Sequence, residues 1–544
     1  MLSSAPAKPL LLSDEQMREF IVNGYLVLQP SVPDELHQII CRKLAEALDI
    51  GYNPGNNILP LVPEMRHIIN SPEVQGALIS VLGEGFFEHP HRYCHHIAPA
   101  SEKSAEPAAQ LIKNCHQDAY SPLARSRQHY LRNARIMYYP QDTPIELGPT
   151  HVIPGTQFNR GLTTREKASA LPVAGRAGTV SLTHFDLGHA AGVNLVDRPR
   201  HMVKFIYIRA AEPRAPSWDC HSSQFRKPEN IRAPHDLEVA WAHHWDWLCG
   251  KEDRYASVRT RPSGVGVARV RELAAQLAED QVLEHRLAAS RDLAVLGPDA
   301  AAAIPALLDM LEAESQAAVT AALYALGAIG KASVEPLVGR LREVGEHGVG
   351  APSPSTGKER AIEMDPAAHG LAAIGAAAVP SLIELLGDER AWSRINAAFA
   401  LGEMDSQAAA AVPALVECLN DSCSRVVRTV ADALGIIRAG VPVAPLSHLL
   451  RAAAKPGWEV EKNHGWTPQN QVRINAAMAC VRLGKDAAAA EDALLEALDD
   501  ECGHVGAFAM YALNQLDSPG ARFGVVEYLR AQRWDESIGR GRPY

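Results

Sequence analysis

The sequence predicts a multidomain α+β protein: a strand-rich N-terminal half of jelly-roll or barrel type with flanking helices, followed by an α-solenoid. Three observations carry this expectation. At 544 residues the chain is too long for one hydrophobic core. Sixteen of its 22 histidines lie before residue 250, whereas the trailing half is rich in alanine and leucine and poor in aromatics. From about residue 270 onward a helical unit recurs.

Taken in order, "LSDEQMREFIVNGYLVLQP" reads as a capped helix followed by a strand. Ser13 with Gln16 three residues on forms a capping box, Asn23-Gly24 stops the helix, and "YLVL" is the strand. Further strands are expected at "ARIMYYP", "THVIP", "GTVSLTHF" and "HMVKFIYI", with turns at Pro154-Gly155 and Gly175–Gly178. Several short strands punctuated by turns point to a jelly roll or barrel. "VAWAHHWDWLCG" places Trp241, His244, Trp245 and Leu248 on one helical face, as in a packed aromatic helix.

In the trailing half, "RLAASRDLAVLG", "AAVTAALYALGAIG", "SRINAAFALGEM", "SRVVRTVADALGII" and "VRINAAMACVRLG" repeat one pattern. Their glycines are Gly297, Gly327, Gly402, Gly435 and Gly484, with a looser copy at Gly375. Apolar positions recur every three or four residues. Each glycine is read as the stop of one helix, and Pro305, Pro336, Pro380 or Pro413 as the opening of the next. Stacked hairpins of this kind make an α-solenoid. Insertions fall at about 343–360 and 452–470, the first of them, "GEHGVGAPSPSTGKER", expected as a surface loop. This half resembles HEAT-type repeats over residues 270 to 530. Some HEAT proteins hold di-iron through His-Glu dipeptides, and this sequence has none.

A formal charge of −10 with no basic run excludes a nucleic-acid partner. No apolar stretch in the sequence looks long enough to span a bilayer, and the opening "MLSSAPAKPLLLSDEQ" lacks the apolar region of a signal peptide. The nine cysteines are scattered without a C-x-x-C pair, as reduced core thiols would be. Together these features predict a soluble, cytoplasmic protein with no membrane partner.

Chemistry enters with "NCHQDAYSP". A non-haem iron site of the common oxygenase type needs two imidazoles and a carboxylate on one face of the metal. His-x-Asp supplies two of these from one strand end, since residues i and i+2 project to the same side. Three such pairs occur: His116–Asp118, His184–Asp186 and His244–Asp246. For the first, His189 follows Asp118 by 71 residues and Arg200 follows His189 by 11, just ahead of an apolar strand. A guanidinium there matches a dicarboxylate by a two-point contact. The second pair has only His221 with Arg232 within reach, in a loop-like segment, and the third lies on the aromatic helix. Other polar residues receive structural readings: His151 as a hydrogen-bonded histidine, Arg125, Arg127 and His129 as a solvated loop, and "EHPHRYCHH" as a strand. Of Tyr138 and Tyr139, one should face the barrel interior.

Residues 10 to 212 resemble the phytanoyl-CoA dioxygenase family of Fe(II)- and 2-oxoglutarate-dependent oxygenases. The resemblance rests on the opening helix with "NGYLVL", on "HQD", on "LGPTHVIPGTQ" and on "AGTVSLTHFDLGHAAGVNLVDRPR". It implies a double-stranded β-helix with His116, Asp118 and His189 as iron ligands. Arg200 would bind the distal carboxylate of 2-oxoglutarate. Fe(II), 2-oxoglutarate and O2 are then the expected cofactors, and hydroxylation or desaturation of a small-molecule substrate is the expected reaction. The sequence departs from the family at Thr156-Gln157, where Ser-His is common, and at Ala191, where a hydroxyl often helps to hold the cosubstrate. The domain expectation is an oxygenase at 1–255, a linker at 256–269 and a solenoid at 270–535, the solenoid serving a protein partner or the substrate. The alternative is a catalytically silent HEAT-repeat scaffold carrying a relic oxygenase fold.

Overall fold

Ser13 caps the first helix as its neighbours predict. Its Oγ accepts the Gln16 amide at 3.3 Å while Gln16 Oε1 accepts the Ser13 amide at 3.0 Å. The helix, Asp14–Asn23, ends at Gly24 with φ of 79°, a left-handed conformation open to glycine. The computed structural model describes residues 8–49, 53, 55–100, 106–118, 127–259, 266–343, 364–453, 455, 458 and 467–531. Contacts divide the chain into two compact units, residues 1–118, 131–234 and 531–544 in one and residues 119–130 and 235–530 in the other.

The first unit contains two antiparallel sheets. Its strands are β1 (Tyr25–Leu28), β2 (Phe87–Ile97), β3 (Asn133–Tyr138), β4 (Thr150–Ile153), β5 (Leu171–Pro172), β6 (Val180–His184), β7 (Gly188–Ala191) and β8 (Arg200–Ile208). The larger sheet runs β1-β6-β3-β8-β2 and the smaller β5-β4-β7. Each strand expected from the sequence is present. β3, β6 and β8 are buried at every position, which requires cover on both faces. Helix Asp34–Asp49 supplies part of it, with His37 Nδ1 and Tyr138 Oη 2.8 Å apart. Tyr139 points the other way and clusters with Met137 and Met202, so it is the tyrosine of the interior face. Helix Pro107–Asn114, ahead of the His116 segment, has no strong signal in the sequence.

In the second unit, helices Leu283–Leu296, Gln316–Ile329, Pro366–Ile374, Ala391–Glu403, Ser424–Ile437, Pro468–Leu483 and Gly503–Leu516 pack in succession. Short return helices follow, opened by Pro305, Pro380 and Pro413 as expected. The repeat glycines divide into two kinds. Gly297, Gly375 and Gly484 do end helices, but Gly327, Gly402 and Gly435 lie inside them. Their cause is close approach: a Cβ on Gly402 would stand 2.9 Å from Ala433 Cα, and one on Gly435 2.7 Å from Ala479 Cα. Partly buried arginine–aspartate pairs link successive repeats, as at Arg340–Asp365, Arg394–Asp421 and Arg473–Asp500. Both expected insertions lie largely outside the described residues.

Three further expectations meet a different outcome. The aromatic helix Glu238–Leu248 is present and fully packed, but it belongs to the second unit, as do all residues from 235 to 259. His129, expected in a solvated loop, is buried in that unit, stacked on His369 at 3.9 Å and bonded to Tyr324 Oη at 3.1 Å; Arg127 is buried as well, and Arg125 lies outside the described residues. Finally, three continuous helical runs, Leu283–Glu312, Gln316–Glu343 and Pro366–Leu385, are long and apolar enough to cross a membrane by length and composition. The sequence pattern does not reveal them because each is more than one helix joined through a tight turn.

Candidate metal centre

The site forms where β7 meets the segment after helix Pro107–Asn114. His116 and His189 are directly opposed, each amide donating to the other's carbonyl at 2.9 Å. Their rings therefore stand side by side, with centroids 4.5 Å apart. Of the His-x-Asp pair only His116 is in a β-bridge, so the pair does not sit on a regular strand as expected. Gln117 pins the turn instead, its Nε2 donating to the carbonyls of Thr156, Asn159 and Asp186 at 2.9–3.1 Å. Asp118 follows with its side chain buried.

The tautomers follow from the partners. His116 Nδ1 is 2.8 Å from the Asn114 carbonyl and His189 Nδ1 is 3.0 Å from the Leu187 carbonyl. A carbonyl only accepts, so both Nδ1 atoms carry the proton and both Nε2 atoms keep a lone pair. Those lone pairs lie near the carboxylate: His116 Nε2 is 3.7 Å from Asp118 Oδ1, and His189 Nε2 is 3.9 Å from Oδ2. One ligand atom from each residue falls within 4.8 Å of the others, and among the described residues no other such His, Cys, Asp or Glu group converges. Two imidazoles and one carboxylate form a donor set suited to ferrous iron.

Residues that the sequence motifs do not single out surround this group. Arg135 on β3 binds Asp118 Oδ2, and Lys204 Nζ on β8 lies 3.7 Å from the same oxygen. Burial alone would raise the Asp118 carboxyl, but Lys204 and Arg135, with the histidines behind them, hold it well below the usual carboxylate range. Burial, followed by the Arg135 charge, holds His189 well below the ordinary imidazole value. His95, opposite Met202 on β2, is pushed down to about 3 by burial and then by Lys204. The sequence signal is partial: a cation within a mostly apolar strand, as in "NARIMY" and "RHMVKFIYI", is unusual, but the face it takes depends on how β3 and β8 pair.

Arg200 opens β8 on the face it shares with Met202 and Lys204. Its side chain is fully buried, and none of its three guanidinium nitrogens has a hydrogen-bond partner among the described residues. The Tyr139 ring lies 5.9 Å from its Cζ. An unpaired buried guanidinium is costly, so it reads as a binding position for an anion. His151, half-buried, donates Nδ1–H to the Pro149 carbonyl at 3.0 Å. The departures at 156–157 are structural: Thr156 Oγ1 accepts the Gly188 amide at 3.0 Å, and Gln157 Nε2 donates to Ile21 O at 2.9 Å.

The rival pairs gather no third ligand among the described residues. His184 Nδ1 accepts the Asp186 amide at 3.2 Å. Asp246 is bonded by Lys251 Nζ and the Ser257 amide, both at 2.6 Å.

Comparison with known proteins agrees with the motifs. Residues 23–202 match the family model described as phytanoyl-CoA dioxygenase and residues 367–463 that of HEAT repeats, so the chain carries both. A search of curated proteins finds no match. Among solved structures, the non-heme alpha ketoglutarate dependent carbocyclase SnoK from nogalamycin biosynthesis is 16% identical, with 38% of this chain and 88% of that chain covered at a TM-score of 0.28. The epimerase SnoN, in complex with Fe3+, alpha ketoglutarate and nogalamycin RO, is 16% identical over 40% of this chain and 94% of its own, at 0.30. Iron-bound HygX from Streptomyces hygroscopicus is 16% identical over 36% and 87%, at 0.29.

Proposed function

We propose that the first unit is an Fe(II)- and 2-oxoglutarate-dependent dioxygenase that hydroxylates or desaturates a small organic molecule. We read its two sheets as the halves of a double-stranded β-helix. The observation that carries this reading is the pairing of two features: a convergent donor set of two histidines and one aspartate, and a buried guanidinium with no hydrogen-bond partner among the described residues. The match of residues 23–202 to the phytanoyl-CoA dioxygenase model supports it.

In this reading His116, Asp118 and His189 hold the metal, and Arg200 holds the far carboxylate of 2-oxoglutarate. Along β8, Arg200 stands four residues from Lys204, about 13 Å at strand rise. The donor set and the anion site thus occupy the two ends of one interior face. Met137, Tyr139 and Met202 form an apolar patch beside Arg200 that would keep water from the cosubstrate. Bound Fe(II) with 2-oxoglutarate and O2 would supply the oxidation; the chain binds, orients and encloses. His116, more than half exposed, marks the side from which substrate would approach.

The HEAT repeats would serve a protein partner or the substrate, and nine free cysteines fit a cytoplasmic setting. Succinate release from 2-oxoglutarate, dependent on Fe(II) and absent in His116→Ala, tests the assignment. A wild type no more active than that variant against a broad panel of small molecules would favour the silent scaffold, the reading that Ala191 keeps open.

A further inference from the structure

Asp118 presents its two oxygens to different neighbours. Oδ1 faces His116 Nε2, whereas Oδ2 is taken by Arg135 with Lys204 Nζ 3.7 Å away. The same Arg135 reaches His189: Nη1 is 3.3 Å from Nε2 and Nη2 3.4 Å from Nδ1. The Nη1 contact faces the lone pair that a metal would take from His189, so the hold compatible with a bound metal is the one on the carboxylate.

Arg135 is itself held. It lies on β3 between β6 and β8, directly opposite Thr183 and Ile206. Its Nε donates to Thr183 Oγ1 at 3.2 Å, its Cζ is 5.7 Å from the Phe185 ring centroid, and its side chain is wholly buried. Asp118, by contrast, has no strand of its own. Among the described residues, Arg135 and Lys204 tie its carboxylate to the larger sheet.

We infer that Arg135 is a positioning residue that orients Asp118 and restricts it to one-oxygen ligation through Oδ1. The inference rests on the metal-centre reading above and adds a residue to it. Occupying Oδ2 matters chemically: a carboxylate bound through both oxygens would consume a coordination position needed for cosubstrate or oxygen. Lysine cannot replace the fork, because an ammonium is a point charge that cannot hold the Thr183 hydroxyl and the Asp118 carboxylate in one fixed plane.

Co(II) and Mn(II) binding to the full chain provides the test, with calorimetry for affinity and the visible Co(II) spectrum for ligand geometry, independently of turnover. Compared are wild type, Arg135→Met, Arg135→Lys and His189→Ala. Arg135→Met is expected to weaken binding roughly 10- to 100-fold, the usual effect of losing an outer-shell partner. It should also alter the Co(II) band, and Arg135→Lys should restore little of either. Affinity and spectrum unchanged in Arg135→Met, or tighter binding, would overturn the inference while leaving the metal centre intact. Wild type binding no better than His189→Ala would instead remove the metal reading itself, and this inference with it. If Arg135→Met does not fold, Thr183→Val, which removes the Nε anchor and the 3.4 Å bond from the Thr183 hydroxyl to the Arg135 carbonyl, should give a smaller loss in the same direction. No loss there would count against the positioning role.

Discussion

Replacing Arg200 by methionine should have two effects of opposite sign. Most buried arginines are paired, and removing one strands its partner; Arg200 has no hydrogen-bond partner among the described residues. A desolvated ion costs several kcal/mol even after relaxation. Against this stands one ring at 5.9 Å, worth about 1–2 kcal/mol when desolvated. Methionine fills much of the same volume without charge, so the ligand-free protein should gain about 1–3 kcal/mol. For a unit of this size that is about 2–4 °C of Tm per kcal/mol. With Mn(II) present and 2-oxoglutarate at about one hundred times its Kd, wild type should gain a further ~2.7 kcal/mol and the variant nothing. Thermal unfolding with and without each ligand reads both effects. A ligand-free variant less stable than wild type, or one that keeps the full 2-oxoglutarate shift, would refute the idea that Arg200 is an anion site awaiting its anion.

Three other outcomes follow from the structure. Gly435→Ala places a Cβ 2.7 Å from the Ala479 Cα, which is backbone and cannot yield, so about 1–3 kcal/mol should be lost in urea unfolding; a neutral substitution would mean the helices do not cross there. Tyr324→Phe removes a hydroxyl 2.8 Å from His244 Nε2 and 3.1 Å from His129 Nδ1 and should cost about 1–3 kcal/mol by the same measurement, whereas no change would show the network to be dispensable. His189 is held well below 6.5 by burial first and then by Arg135, so the unfolded chain takes up a proton that the folded one refuses. Its contribution to stability is complete above that value and is lost as pH falls below it. In metal-free protein, His189→Gln should reduce the acid-side slope of stability by up to one proton, about 1.4 kcal/mol per pH unit, and an identical slope would exclude the assignment.

Local rules made much of the first unit legible. Ser13, Gln16 and Gly24 define a helix without help from the rest of the chain, and every expected strand formed because its apolar run was bounded by turns. His116 and His189 could be paired across 71 residues because motif order survives any intervening insertion. Arg135 and Lys204 were not found, since a lone cation in a strand does not announce which face it takes until β3 and β8 are placed side by side. The repeat glycines were misassigned for a related reason. Gly435 looks like a helix stop, and only the neighbouring helix shows it to be a crossing point. His129 was read as loop because its burial depends on Tyr324 and His369, some 200 residues away.

The charges of the site favour one class of cosubstrate over others. Among the described residues, Arg135, Lys204 and Arg200 stand in its interior with the carboxylate of Asp118, all of them buried. A divalent metal adds positive charge to a surplus that burial already makes unfavourable. A dianion that bridges the metal and Arg200 offsets the metal's charge and gives the unpaired guanidinium its two-point partner. Metal and dianion should therefore bind better together than apart, each raising the other's affinity by the same factor. A monoanionic 2-oxo acid of similar length could meet the metal but not Arg200. It should show weak coupling in wild type, and the same weak coupling in Arg200→Met. Equal coupling by the two acids in wild type would mean that Arg200 does not take the distal carboxylate, and the case for 2-oxoglutarate would lose its main electrostatic support.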